Sequence, residues 1–220
     1  VGAGPVGLAA AIEARLVGLS VLLCEPRTGA VDKACGEGLM PGALRLLSRI
    51  GVEPAGRDFS GIRYLGGGLA VEHRFRSGPG RGVRRTGLHG QMAGRAAEVG
   101  VQTVPTRVGV VEQDVAGVTV DGRLRAHWLF ACDGLHSSIR RQLGMQRPPR
   151  RPARYGVRRH FRVSPWSDAV EVHWTPEAEA NTLSHARLGA TIKDAPGVLG
   201  QATTIIGEAG GNIINLNMHL

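Results

Sequence analysis

The stretch Val1–Arg27, VGAGPVGLAAAIEARLVGLSVLLCEPR, decides the fold. Gly2, Gly4 and Gly7 fit the pattern G-x-G-x-x-G, in which each glycine has a separate physical task. Gly2 permits the tight turn out of a strand. Gly4 leaves room for a pyrophosphate against bare backbone, and Gly7 lets a helix pack closely on the sheet. Pro5 and Val6 open that helix, which the Ala- and Leu-rich text carries to about Val17, with Gly18 as its stop. Its first N–H groups are placed to meet an anion. Ser20–Cys24 then reads as a short buried strand of the parallel kind, and it ends in Glu25, eighteen residues after Gly7. A carboxylate at that strand end accepts from both ribose hydroxyls of an adenosine, and its charge disfavours a 2′-phosphate, so NADP is not expected at this position. The expectation is a Rossmann-like α/β domain holding a dinucleotide.

The glycine pattern alone does not separate one dinucleotide from another. Three later segments resemble FAD-dependent monooxygenases of the aromatic-hydroxylase type and the related geranylgeranyl reductases, over about residues 1–176. Residues 31–52, VDKACGEGLMPGALRLLSRIGV, are similar to the loop and helix that run alongside the flavin, which implies that Lys33, Gly36 and Glu37 lie on the loop passing the ring. Solvated loop charge is the plainer account of those residues. Residues 82–101 carry an R-x-x-L-x-x-x-M helix start as Arg85, Leu88 and Met92. Arg85 there can pair with a phosphate or ribityl oxygen, or equally with a surface acid.

The third segment, WLFACDGLHSSIRRQLG at residues 128–144, resembles the internal D-G motif of the group at Asp133, Gly134, Ser137 and Arg140. Trp128–Cys132 reads as a buried strand delivering Asp133-Gly134 to its carboxyl end, ahead of a helix starting near His136. The resemblance implies that Asp133 and Gly134 lie near the FAD pyrophosphate and face the NAD(P)H donor; Asp133 is also a natural helix N-cap. Before this motif, residues 108–133 read as a β-meander with a two-residue hairpin turn at Asp121-Gly122. The resemblance implies that Val108 brings its main chain near the adenine. Residues 154–163 and 168–174 alternate as half-exposed antiparallel strands and resemble the start of the sheet that covers the substrate.

Near Ala180 the text changes character. Residues 184–220 resemble the first β-α-β half of an ACT domain, a ferredoxin-like regulatory module. Asp194, Pro196, Gly197, Val198 and Leu199 form its turn and helix start, and Gly210–Ile213 its exit. The expected domains are therefore 1–180, FAD-binding, and 181–220, ACT-like. Half an ACT domain leaves an apolar face to be covered by the FAD-binding domain or by a second chain, and a homodimer through this segment is the second of those two expectations. The family's second G-D motif finds no match. The chain opens on Val1 directly at the glycine loop, which reads as a fragment or a shortened gene product.

Composition narrows the classes. The net charge is +9, yet lysine supplies only Lys33 and Lys193, and the arginines are scattered rather than gathered on one element. With 4% aromatic residues there is no base-stacking platform, so nucleic-acid binding is the weakest rival. Cys24, Cys35 and Cys132 have no metal-ligand spacing, which points to no metal and to a reducing cytoplasm. No apolar run spans a membrane, since Glu13 and Arg15 interrupt the longest. The function expected is an FAD-binding oxidoreductase, an NAD(P)H-dependent monooxygenase or reductase of a small organic substrate, shortened and inactive if its missing parts are essential. The alternative is a non-catalytic nucleotide-binding regulator with an ACT-like sensing or pairing segment. No residue stands out as a catalytic acid or base.

Overall fold

The computed structural model describes residues 1–30, 32, 33, 35, 37–148, 154–162, 164–174, 178–183 and 187–193. In chain order the elements begin α1 (Pro5–Leu16), β1 (Leu22–Cys24), β2 (Gly38–Leu39), α2 (Pro41–Arg49), β3 (Gly56–Phe59), β4 (Gly61–Gly66) and β5 (Leu69–Arg74). They continue with β6 (Gly80–Val83), α3 (Arg85–Glu98), β7 (Gln102–Val104), β8 (Val111–Asp114), β9 (Gly117–Val120) and β10 (Leu124–Ala126). Last come α4 (Ser138–Gln142), β11 (Arg154–His160), β12 (Val170–Trp174), β13 (Ala178–Leu183) and β14 (Arg187–Lys193).

These elements form two compact units. The first takes its residues from Val1–Asp32, Leu47–Pro54 and Thr86–Pro148. Here β1 pairs with β7 in parallel, Leu23 opposite Thr103. The opening residues lengthen this sheet: the Gly2 N–H donates to Cys24 O at 2.9 Å, the Val1 ammonium to Phe130 O at 2.8 Å, and the Cys132 N–H to Val1 O at 2.8 Å. Val1–Ala3 is thus a strand-like segment between β1 and residues 130–132. Helix α1 buries Gly7, Leu8, Ala11 and Ile12, and α3 buries His89, Met92 and Ala96, each set at helical spacing. Leu8, Ile12, Leu23, Met92, Ala96 and Val101 share one core with Ile50 and Val52.

The expected meander is present as β8, β9 and β10, antiparallel in the order β10-β9-β8. Asp121 and Gly122 have φ of 50° and 64° and the Arg123 N–H closes the turn onto Val120 O, but Leu124 lies opposite Val120, so the loop has three residues where two were expected. Its Val120 packs with Cys24, Val108 and Ile139 in a second core. Residues 128–132 depart from the expected buried strand. Trp128 is 80% and Phe130 66% exposed, while Leu129 packs on the second core. Alternation explains this, because only every other side chain of an extended segment faces the core.

The second unit draws on Lys33–Leu46, Ala55–Arg85 and Pro149–Leu220. It contains an antiparallel sheet in the order β2-β6-β3 and a six-stranded sheet in the order β11-β14-β13-β12-β4-β5. The two strands expected from alternation, β11 and β12, both lie in the larger sheet without pairing with each other; β12 runs parallel to β4 and antiparallel to β13. Phe59, Val170 and Val172 form the core of this unit with Ile62 and Phe75.

The fold does not support the ACT-like half. Its described part, Arg187–Lys193, is β14, which pairs antiparallel with both β11 and β13 in the six-stranded sheet. The expected boundary at 180/181 falls inside β13. A strand with alternating side chains suits either sheet equally, so the pattern of RLGATIK did not discriminate. The turn and helix residues Asp194–Leu199 and the exit Gly210–Ile213 lie outside the described residues, as does Gly36. Among the described residues no helix is long and apolar enough to cross a membrane.

Candidate nucleotide site

The glycine loop is shaped by contacts that leave no space for a side chain at two positions. Gly2 sits at φ +92°, and a Cβ on it would lie 2.4 Å from the Cys132 carbonyl oxygen and 3.1 Å from Asp133 Cα. A Cβ on Gly7 would lie 1.8 Å from the Gly2 carbonyl oxygen. Gly4 is the opposite case, since a Cβ there would meet nothing within 4 Å. Gly2 and Gly7 close the loop onto the sheet; Gly4 faces open space. Gly4 is also the N-cap of α1, with no side-chain cap, with Pro5 at the helix start and with no acid in the first turn. Val6, at the next position, is exposed. The arrangement leaves the positive end of the helix available to an anion.

Glu25 is 7% exposed and closes the other side of the loop. Its Oε2 accepts from the Ala3 N–H at 2.9 Å, and Arg27 approaches both oxygens, Nε to Oε1 at 2.8 Å and Nη2 to Oε2 at 3.1 Å. The Arg27 main-chain N–H adds a bond to Oε1 at 3.1 Å. The Arg27 guanidinium, helped by these main-chain donors, holds the Glu25 carboxyl down to about 2 despite its burial. The acid at the strand end is therefore fully ionised and already well supplied with donors.

His89 went unnoticed in the sequence. From the buried face of α3 its Nε2 meets the Ala3 carbonyl at 2.8 Å, so that nitrogen carries the proton and donates. Ala3 is thereby held at N–H by Glu25 and at C=O by His89. The signal was available: His89 falls between Leu88 and Met92, on the apolar face of a helix, where an imidazole needs a partner.

Asp133 combines two conditions in one carboxylate. Its Oδ2 accepts from the Ser138 N–H at 2.9 Å and the Ile139 N–H at 3.3 Å, capping α4, while Ser137 Oγ accepts from the Arg140 N–H at 2.9 Å. Its Oδ1 is buried and has no partner. Burial pushes this carboxyl up, but the Ser137 hydroxyl and the main-chain donors outweigh burial and hold it below its ordinary value. Gly134 follows at φ +91°. Gly2, Gly4, Pro5, Val6, Gly7, Glu25, Asp133 and Gly134 thus gather in one unit around one loop. Val108 belongs to the same unit with its side chain buried in the second core, which leaves its main chain for any contact.

Arg85 lies in the second unit, where its main-chain N–H donates to Glu37 Oε1 at 2.6 Å. Glu37 is not a solvated loop charge. Its side chain is 2% exposed, sits on a backbone of φ 52°, and pairs with Arg158 Nη1 at 3.1 Å and His160 Nε2 at 3.1 Å. Lys33 contributes its carbonyl oxygen to Arg158 at 3.1 Å. Of the cysteines, Cys24 is buried, which raises its thiol, Cys35 is exposed, and Cys132 is only partly covered. No group of His, Cys, Asp or Glu among the described residues is arranged to hold a metal.

Glycine loop, strand-end acid and capped second motif together define a dinucleotide-binding α/β protein. The chain belongs to the FAD-binding domain family, whose model matches residues 1–187. It is 34% identical over 172 residues to a menaquinone reductase of Mycolicibacterium smegmatis, covering 71% of this chain and 41% of that protein. A rifampicin monooxygenase of Streptomyces venezuelae is 30% identical over 160 residues, covering 67% of this chain and 34% of that protein. The chain thus spans less than half the length of these relatives. In fold it is similar to a geranylgeranyl bacteriochlorophyll reductase-like protein of Thermoplasma acidophilum, with a TM-score of 0.81 at 19% identity over 99% of this chain and 64% of that one.

The residues present fit FAD on observations of the fold itself. Gly4 leaves open the volume a Cβ would fill, and Asp133 keeps a buried acceptor without a donor. A buried unpaired carboxylate oxygen is expensive, and a hydroxyl-bearing ligand is one way to satisfy it.

Proposed function

We propose that this chain is the FAD-binding part of an NAD(P)H-dependent oxidoreductase, a monooxygenase or reductase acting on a small organic substrate. The observation that carries this reading is the unpartnered Oδ1 of Asp133 in the same unit as an open Gly4 and an ionised Glu25. The main chain from Gly4 to Gly7 binds the diphosphate against the start of α1. Glu25 takes the adenosine ribose, and the Val108 main chain borders the adenine. Asp133 accepts a hydroxyl of the ligand through Oδ1 while its other oxygen keeps α4 in place, and Gly134 gives close backbone approach. FAD, when bound, supplies the electron transfer; the protein orients it and keeps water out. The named relatives include both a reductase and a monooxygenase, which supports the oxidoreductase class and leaves the substrate to the rest of each protein.

Titrating the purified chain with FAD tests the reading. The expected result is a shifted visible flavin spectrum and a raised melting temperature, followed by NAD(P)H oxidation by the complex. A colourless protein whose melting temperature ignores excess FAD overturns it.

A further inference from the structure

Glu25 and Arg27 stand two residues apart across Pro26, and the count of donors on the acid constrains what else can bind there. A carboxylate offers about four acceptor positions. Four donors reach Glu25: the main-chain N–H groups of Ala3 and Arg27, and Nε and Nη2 of the Arg27 side chain. The first two are main-chain groups built into the fold, and Ala3 is also held at its carbonyl by His89. The other two sit on a side chain that is 47% exposed and has room to leave. A ribose brings two neighbouring hydroxyl donors and needs two acceptor positions. The guanidinium fork presents the same thing, two N–H donors side by side on one carboxylate.

We infer that Arg27 is a latch on the adenosine site: its guanidinium stands in for the ribose diol at Glu25 and must swing away before the 2′- and 3′-hydroxyls can bind. The inference rests on the reading that this site takes the adenosine half of FAD. It adds that the fork keeps Glu25 paired until a diol takes its place, so that the acid does not face the interior of the loop as a bare charge. A diol displaces the fork donor for donor. A sugar without hydroxyls has nothing to offer in exchange, which makes Arg27 a specificity device as well as a lid on the acid.

Binding of FAD, ADP and 2′,3′-dideoxy-ADP to the wild-type chain, Arg27→Ala and Arg27→Lys tests this, by flavin fluorescence quenching and titration calorimetry. Arg27→Ala is expected to bind FAD and ADP about 5-fold tighter, the worth of a part-exposed ion pair, with no gain for dideoxy-ADP. Arg27→Lys, which keeps the charge but not the fork, falls between, and it carries the test alone should the alanine variant fail to fold. Equal or weaker ADP binding by the variants, or the same gain for the dideoxy ligand, overturns the latch. FAD bound by wild type without gain on substitution removes the latch alone. FAD bound by none of the three proteins removes the FAD reading and the latch with it.

Discussion

The Cα of Gly7 faces the carbonyl of Gly2 so closely that a methyl group on it would sit 1.8 Å from that oxygen. Both residues belong to the backbone that folds the chain from sheet into α1, so neither can retreat without opening the core around Leu8 and Ile12. Gly7→Ala is therefore expected to destabilise the ligand-free protein by about 1–3 kcal/mol, the usual range for an overpacked core. Urea denaturation of the wild type and the variant measures it, and an unchanged midpoint would contradict the contact.

Gly4 makes the opposite prediction. A Cβ there meets nothing, and its φ of −68° suits any residue, so Gly4→Ala should cost the ligand-free protein no more than about 1 kcal/mol, the difference between glycine and alanine as an N-cap. The methyl group would instead occupy the volume assigned to the diphosphate. FAD affinity should fall at least about 10-fold, a loss of about 1.4 kcal/mol. Loss of stability without loss of FAD affinity would reverse the two roles.

Asp133 separates capping from ligand binding within one side chain. Asp133→Asn can still offer an oxygen to the Ser138 and Ile139 N–H groups, but it turns the unpartnered acceptor into a donor. Stability should change little and FAD affinity should drop, whereas Asp133→Ala should lose both, with about 1 kcal/mol going to the cap. Melting temperatures with and without FAD distinguish the variants. If asparagine binds FAD as well as aspartate does, Oδ1 is not a ligand contact.

Glu25 has its folded value lowered from 4.5 to about 2, mainly by Arg27. A carboxyl depressed on folding stabilises the native state above its unfolded value and loses that contribution as pH falls through the folded one. The loss attributable to Glu25 thus lies between 4.5 and about 2. Comparing urea midpoints at pH of about 5 and about 3, the fall should be smaller in Glu25→Gln than in wild type. Equal falls would show that the acid is not paired in solution.

Local chemistry was legible in the sequence wherever a residue acts on its own neighbourhood. Pro5 starts α1 and Gly18, at φ +85°, follows its end; Asp121-Gly122 turns the meander; Asp133 and Ser137 cap α4. The dinucleotide loop belongs to this class because its glycines and Glu25 sit within one β-α-β unit. Long-range pairings were not legible. Glu37 reads as loop charge until Arg158 and His160, more than a hundred positions later, are brought onto it. Strands β3 and β6 carry GRDF and GRGV, with no alternation to betray them, and β12 runs parallel to β4 across a separation no local pattern encodes. Arg27 was hidden differently: its fork on Glu25 depends on how the side chain folds back across Pro26, which no spacing encodes.

Ala3 is gripped by Glu25 and His89 while Val1 and Gly2 are tied to the two flanking segments. Three successive residues are immobilised before any ligand arrives, so the ordering entropy of the cradle is spent during folding and not at encounter. Recognition here is a matter of docking onto a stiff frame, and the latch proposed for Arg27 is the one part of it asked to move.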